Sequence, residues 1–457
     1  MRLLPRARSK KRWKATRPNS RISINWPALR QAGRIFLDRL YRNIPESDIM
    51  SMKRVALIAA LFAAVLTVVG FSLLSFFPLG KSLPQSPTSG KDGNSSQNAT
   101  AAAKFGGVTN LTENPDDSVY GQVAADGDNV YVAWQESTGG SNYDIFIKNS
   151  RDRGDNFEND IFNLSNNAGF SEHPQLAVSG SGVYVAWTDN PSGIREILFT
   201  KSANGTSYSE PTSLSNPREI SYNVELAAFG SNVYLVWQTD GSIIFRASHD
   251  GGGTFDAPVA IAGSADSESF PKVAAYGDAV HVIWSVDGES ALFHVKSSDG
   301  GDTFSKAAKL NGDRDIGEAQ VAAYENDVHV VWGGLHGAKQ VDDLFYARSA
   351  DGGYTFADPM TIGIKSPLNV ELAVMPLGEE QYAIHVASQV ALSSENHEIL
   401  LTSSMDGGQT FTKAANLSNN VGISECPTLS TTGNQIFVSW EDLTTGNHEI
   451  LYARGGL

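Results

Sequence analysis

Four times the chain spells Ser-x-Asp-x-Gly-x-Thr-Phe, at residues 248–255, 297–304, 349–356 and 404–411. The fixed positions are Ser248, Asp250 and Gly252; Ser297, Asp299 and Gly301; Ser349, Asp351 and Gly353; and Ser404, Asp406 and Gly408. Successive copies start 49, 52 and 55 residues apart. One four-stranded propeller blade takes about 40 to 50 residues, so this period falls where propeller blades lie. The phrase carries its own turn chemistry. An Asp at a turn accepts backbone N–H groups a few residues on, and Gly takes a positive φ without a Cβ clash. A Ser hydroxyl can close a second local bond, and the Phe can anchor the next strand in a core. The phrase therefore predicts a rigid hairpin turn rather than a set of catalytic carboxylates.

Reading outward from each copy gives the rest of the repeat. Upstream lies a run such as Ile243-Ile-Phe-Arg-Ala-Ser or Asp343-Leu-Phe-Tyr-Ala-Arg-Ser. Before it comes an alternating run that ends in Trp134, Trp187, Trp237, Trp284, Trp332 or Trp440, with Ser388 in the copy that lacks Trp. Earlier still is a run such as Pro174-Gln-Leu-Ala-Val. Period-2 alternation bounded by Gly, Asn, Asp and Ser is the signature of strands and turns. Four strands per repeat, lettered A to D, make one blade. Two further copies of the phrase are degenerate, around Asp152 and Asn204. There are seven B and seven C runs, but the last copy stops near Tyr452 before its D strand. The run Val108-Thr-Asn-Leu-Thr112 matches the missing strand. The expectation is an all-β, seven-bladed propeller over 105–457, closed by an N-terminal strand, which removes exposed sheet edges.

The phrase resembles the Asp-box (BNR repeat) of sialidase-like β-propellers, and the resemblance is strongest over 214–411. It extends to exported and membrane-anchored prokaryotic BNR-repeat proteins. The resemblance implies that the boxes are structural and lie on the face away from an active site. Sialidases of this kind use six blades, three arginines on the substrate carboxylate, a Tyr–Glu nucleophile pair and an Asp acid/base. The first of those arginines stands in an Arg-Ile-Pro motif that this chain lacks. Carboxylate recognition of this bidentate type requires Arg. Only Arg195, Arg218 and Arg314 fall near the expected binding face, none in a matching motif. No catalytic residue is carried over.

Residues 1–54 hold 15 Lys or Arg against three acids, and residues 55–77 carry no charge. At about 1.5 Å per residue, 55–77 as a helix spans roughly 35 Å, enough for a bilayer core of about 30 Å. The Lys/Arg bias puts the N-terminus in the cytoplasm. The expectation is a single-pass signal anchor with the propeller outside the cell. Residues 28–44 read as an interfacial helix, and the basic tail would lie on anionic lipid. Residues 78–104, rich in Ser, Gly, Pro and Asn, read as a flexible linker. Sequons at Asn94, Asn98, Asn110, Asn163, Asn204 and Asn416 suit an exported domain. Cys426 is the only cysteine, so no disulfide framework exists. The whole chain carries −15, so the part beyond residue 54 is strongly acidic. An acidic ectodomain argues against a nucleic-acid partner, which needs clustered Lys and Arg, and beside a membrane span the basic tail reads as a lipid contact rather than a nucleic-acid arm.

In a propeller the D→A and B→C loops share one face, where binding sites lie near the channel mouth. The B→C loops there supply Glu136, Asp189, Asp240, Asp287, Asp342, Glu395 and Asp442. The D→A approaches supply Glu172, His173, Glu268, Glu318 and Glu425. The first positions of the A strands read Gln122, Gln175, Glu225, Lys272, Gln320, Glu371 and Thr428, a polar ring around the mouth. His397 and His448 occupy equivalent repeat positions beside acids, but spacing alone assembles no metal set, and no cofactor motif is present. Two functions stay open. One is a membrane-tethered surface propeller for recognition or scaffolding that binds glycan or protein without catalysis. The other is an exo-glycosidase of the sialidase-like superfamily with a non-standard site.

Overall fold

The computed structural model describes residues 103–457 except 140–141, 241, 264–268, 287–290, 313, 315, 337–338 and 379–380. Every regular element among them is a strand. The strands form seven four-stranded antiparallel sheets. Blades 1 to 6 each run A-B-C-D in chain order, over 118–163, 172–213, 221–263, 269–309, 318–365 and 367–416. Blade 7 takes strands A (Ser424–Thr432), B (Gln435–Asp442) and C (Glu449–Gly456) from the C-terminus. Its outer strand is Lys104–Asn110, paired antiparallel with strand C from Lys104↔Gly456 to Asn110↔Leu451. The N-terminal strand thus closes the ring, and it starts four residues earlier than the Val108–Thr112 run suggests. Among the described residues no helix is long and apolar enough to cross a membrane, and residues 1–102, with the expected span over 55–77, lie outside them.

The B strands explain the alternating Trp runs. They are buried on both faces, because each blade is sandwiched between two neighbours. Trp134, Trp187, Trp237, Trp332 and Trp440 are at most 2 % exposed, so the Trp series is core and not a stacking surface for ligand. The A strands of adjacent blades touch one another around the whole ring, including blade 7 against blade 1, and so line the central channel. Four of the outer D strands are only two residues long, which keeps exposed edges short.

The repeated phrase forms the C→D turn in each of its copies. Ser248 Oγ donates to Asp250 Oδ1 at 2.8 Å and accepts from Gly252 N–H at 2.9 Å. Thr254 closes the turn, its N–H and hydroxyl both donating to the Asp250 carboxylate at 2.8 Å. Asp299, Asp351 and Asp406 make the same bonds. These donors hold the Asp carboxyls below their usual range, Asp299 at about 2. The turn also joins blades. Phe255 packs edge-on against Phe199 of the preceding blade at 5.0 Å, as Phe304 does against Phe245 and Phe411 against Tyr346. Gly251, Gly300 and Gly352 donate to the A→B hairpins of their own blades. The turns therefore sit at the ends of the A strands, opposite the end where those strands begin.

Candidate functional site

The starts of the A strands enclose a cavity of about 420 Å³ on the channel axis. Gln122, Gln175, Glu225, Lys272, Glu371 and Thr428 of the expected polar ring line it. Gln320 stands beside them and donates to Glu371 Oε1 at 2.7 Å. Two residues earlier on the same strands lies a second ring, nearer the mouth: Tyr120, His173, Asn223, Phe270, Glu318, Asn369 and Cys426. In blades 4 and 5, where the pairing of strands A and B is unbroken, alternation puts Phe270 with Lys272 and Glu318 with Gln320 on one face.

The second ring is shaped by bulges. Register shifts separate Val119/Gln122, Glu172/Gln175, Tyr222/Glu225 and Glu425/Thr428. At each shift one residue has a left-handed backbone: Tyr120 (φ 54), His173 (φ 53), Asn223 (φ 53) and Cys426 (φ 50). Such a φ is disfavoured for Tyr, His and Cys and persists only where neighbours impose it. The neighbouring blade does so in three cases. Gln135 Oε1 accepts from His173 N–H at 3.1 Å, Gln389 Oε1 from Cys426 N–H at 3.3 Å, and Glu441 Oε1 from Tyr120 N–H at 2.6 Å. The acceptor is always the residue after the last aligned core position of strand B. Bulges of this kind re-aim side chains beside binding sites.

Electrostatically the floor of the cavity is one ammonium among three carboxyls. Lys272 Nζ lies 2.5 Å from Glu225 Oε1, with both side chains under 20 % exposed. Burial opposes the Lys272 charge, but Glu225, Glu318 and Glu371 push its ammonium above the usual lysine range. Burial raises the carboxyls of Glu225 and Glu318, against the pull of Lys272. Burial pushes Glu371 up to about 8; Lys272 opposes this, and the charges of Glu225 and Glu318 add to it. The direction of this shift favours the protonated form of Glu371. Above it, burial holds the His173 imidazole down to about 4 and so neutral. The Tyr120 ring meets that imidazole edge-on at 4.2 Å, and burial with nearby carboxylates lifts its phenol to about 12. Phe270 is 42 % exposed at the rim. The site offers hydroxyl, amide, imidazole and carboxyl groups beside an aromatic face.

The acids of the B→C loops are arranged differently. Glu136 and Asp189 accept from the indole N–H of Trp134 and Trp187, each at 2.8 Å. Asp189 and Asp442 also take the Ser171 and Ser424 hydroxyls at 2.8 Å. These three carboxylates lock their own blades and do not reach the cavity. Glu172 pairs with Arg195 at 2.9 Å, and Asp240 and Glu395 are exposed. Glu268, Asp287 and the Asp342 side chain lie outside the described residues. Among the described residues no arginine lines the cavity. Arg195 is held by Glu172, Arg314 donates to the Pro359 carbonyl at 3.3 Å, and Arg218 is exposed. Sequence reasoning reached the inner ring, and missed Tyr120, Asn223, Phe270, Asn369 and Cys426 in the outer one. For Phe270 the signal was its two-residue spacing from Lys272 on one strand face; at the others a bulge breaks that spacing.

No family model and no curated protein matches the chain. Solved structures do. The PL25 ulvan lyase, a polysaccharide lyase solved with bound GlcA(1-4)Rha3S, aligns with a TM-score of 0.52 at 12% identity, over 74% of this chain and 93% of that one. The Hadza microbial sialidase Hz136 aligns at 0.47 with 13% identity, and the Trypanosoma rangeli sialidase at 0.44 with 13%. This chain spans 65% of the first sialidase and 55% of the second. At such identities the ulvan lyase likeness shows a shared fold.

Proposed function

We propose that the propeller is a recognition domain that binds a neutral or amine-bearing glycan end at its channel mouth without hydrolysing it. The observation that carries this reading is the cavity itself: two rings of polar and aromatic side chains, with an acidic floor and, among the described residues, no arginine. Hydroxyls of a sugar suit amide, imidazole and carboxyl partners, while an exposed ring such as Phe270 suits the apolar face of a pyranose. A sialic or uronic carboxylate would meet Glu225 and Glu318 with no guanidinium to receive it. That arrangement counts against the exo-glycosidase alternative. A glycan-bound propeller of the same fold supports sugar as the ligand class. The uncharged stretch over 55–77 behind a basic tail supports tethering as a single-pass membrane protein, with the propeller outside the cell and residues 78–104 as its leash.

A glycan array probed with detergent-solubilised full-length protein tests the ligand. Neutral and amino sugars should bind, and Phe270→Ala should weaken binding by about tenfold. Turnover of fluorogenic sialosides, or retention of sialylated spots alone, would overturn the reading. For the tether, carbonate washing should leave the protein in membranes, and external protease should reach the propeller in intact cells. Release by carbonate would remove that part.

A further inference from the structure

We propose that Glu425, Glu441 and His448 form a binding site for a divalent transition-metal ion at the seam where blade 7 meets blade 1. One carboxylate oxygen from each Glu and one ring nitrogen of His448 lie within 4.8 Å of one another. Ligand atoms around a tetrahedral Zn²⁺ sit about 3.4 Å apart, given bonds of about 2.0–2.1 Å. His448 Nδ1 and Glu441 Oε2 are already 3.6 Å apart, too far for a hydrogen bond and close to a metal-bridging spacing.

Two further observations fit a cation at this place. His448 Nδ1 is buried and makes no hydrogen bond. Glu441 is only 4 % exposed, and its Oε1 takes the Tyr120 N–H at 2.6 Å. Its one cationic neighbour is His448. Buried charges are ordinarily paired or coordinate metals.

The other blades show what this position needs for folding alone. The residues equivalent to Glu441 are Gln135, Thr188, Gln238, Ser285, Gly333 and Gln389, all neutral. Gln135 and Gln389 hold the next blade's bulge by an amide oxygen, so the charge of Glu441 is not required for that task. In blade 6, Gln389 Nε2 and His397 Nδ1 are hydrogen-bonded at 2.9 Å. In blade 7 a carboxylate replaces the amide, and Glu425 joins from strand A. The amide–imidazole pair has become a Glu₂His set. Imidazole with carboxylates suits Zn²⁺ and related ions, whereas Ca²⁺ takes oxygen ligands alone. The seam fixes the set: His448 N–H donates to Asp117 Oδ1 at 3.0 Å, and Ser118 N–H to the His448 carbonyl at 2.9 Å. An ion here would brace strands A and B of blade 7 and the loop after strand B, beside the contacts that blade makes with blade 1.

The test is calorimetric titration of Zn²⁺ into chelator-stripped full-length protein in detergent, with Ca²⁺ as comparison and thermal unfolding in parallel. One equivalent of Zn²⁺ should bind and raise the unfolding temperature, and Ca²⁺ should do neither. Glu441→Gln recreates the blade 6 arrangement and should fold, yet bind Zn²⁺ more than about tenfold more weakly, a loss that even outer-shell changes reach. His448→Asn should do the same and serves if the first variant misfolds. No binding by the wild type, or Zn²⁺ affinity unchanged in a folded variant, would overturn the proposal.

Discussion

Asp299 receives the Thr303 N–H and the Ser297 hydroxyl, and those bonds depress its carboxyl to about 2. An acid whose folded value is depressed stabilises the fold above its unfolded pKa of about 3.9 and loses that contribution as pH falls through the folded value. Asp299→Asn should therefore lower the unfolding temperature by a few degrees at pH 7. The gap from wild type should close between about pH 4 and 2. Melting curves across that window check it. Gly408 in the same kind of turn has a φ of 86, and a Cβ there would lie 1.9 Å from the Tyr346 hydroxyl. Gly408→Ala should destabilise by about 1–3 kcal/mol through overpacking, read by denaturant titration. The turn was legible because all its bonds are local. The acids of the B→C loops were not, because spacing does not say whether a carboxylate faces water or its own blade. Trp134 and Glu136, two residues apart on one strand face, held the clue.

Strands settle how the ring closes and how the mouth is aimed. The Lys104–Asn110 strand gives blade 7 its fourth member, and removing it uncovers the outer edge of Glu449–Gly456. Deleting residues 1–110 should lower the unfolding temperature by roughly 10 °C or more, since about 1 kcal/mol moves a large domain by about 2–4 °C. It should also promote association through the bare edge, visible by size-exclusion chromatography. Counting strands in the sequence was enough to expect this closure. The bulges at Tyr120, His173 and Cys426 escaped the count. Nothing local favours a left-handed backbone at these residues, and the acceptors that hold it come from another blade.

At the scale of the whole ring, seven A strands bring Glu225, Glu318, Glu371 and Lys272 from blades 3, 5, 6 and 4 to one place. Glu371 is raised to about 8, so the folded state keeps a proton that the unfolded chain releases near pH 4.3. Its contribution to stability is fully present below about pH 4.3 and is lost as pH rises towards 8. Glu371→Gln should flatten this fall and make the protein more stable than wild type at pH 8–9, measured as unfolding temperature against pH. A wild-type profile flat across this range would contradict the raised value. By itself the sequence determined the turn, the blade, the number of blades, the closing strand and the inner polar ring. Each rests on short-range hydrogen bonds or on the two-residue period of a strand. Only the tertiary structure decided which acids face the channel, which residues the bulges aim, and that blade 7 gathers Glu425, Glu441 and His448 at its seam. Those depend on contacts between blades, and chain spacing does not encode which neighbour a blade will meet.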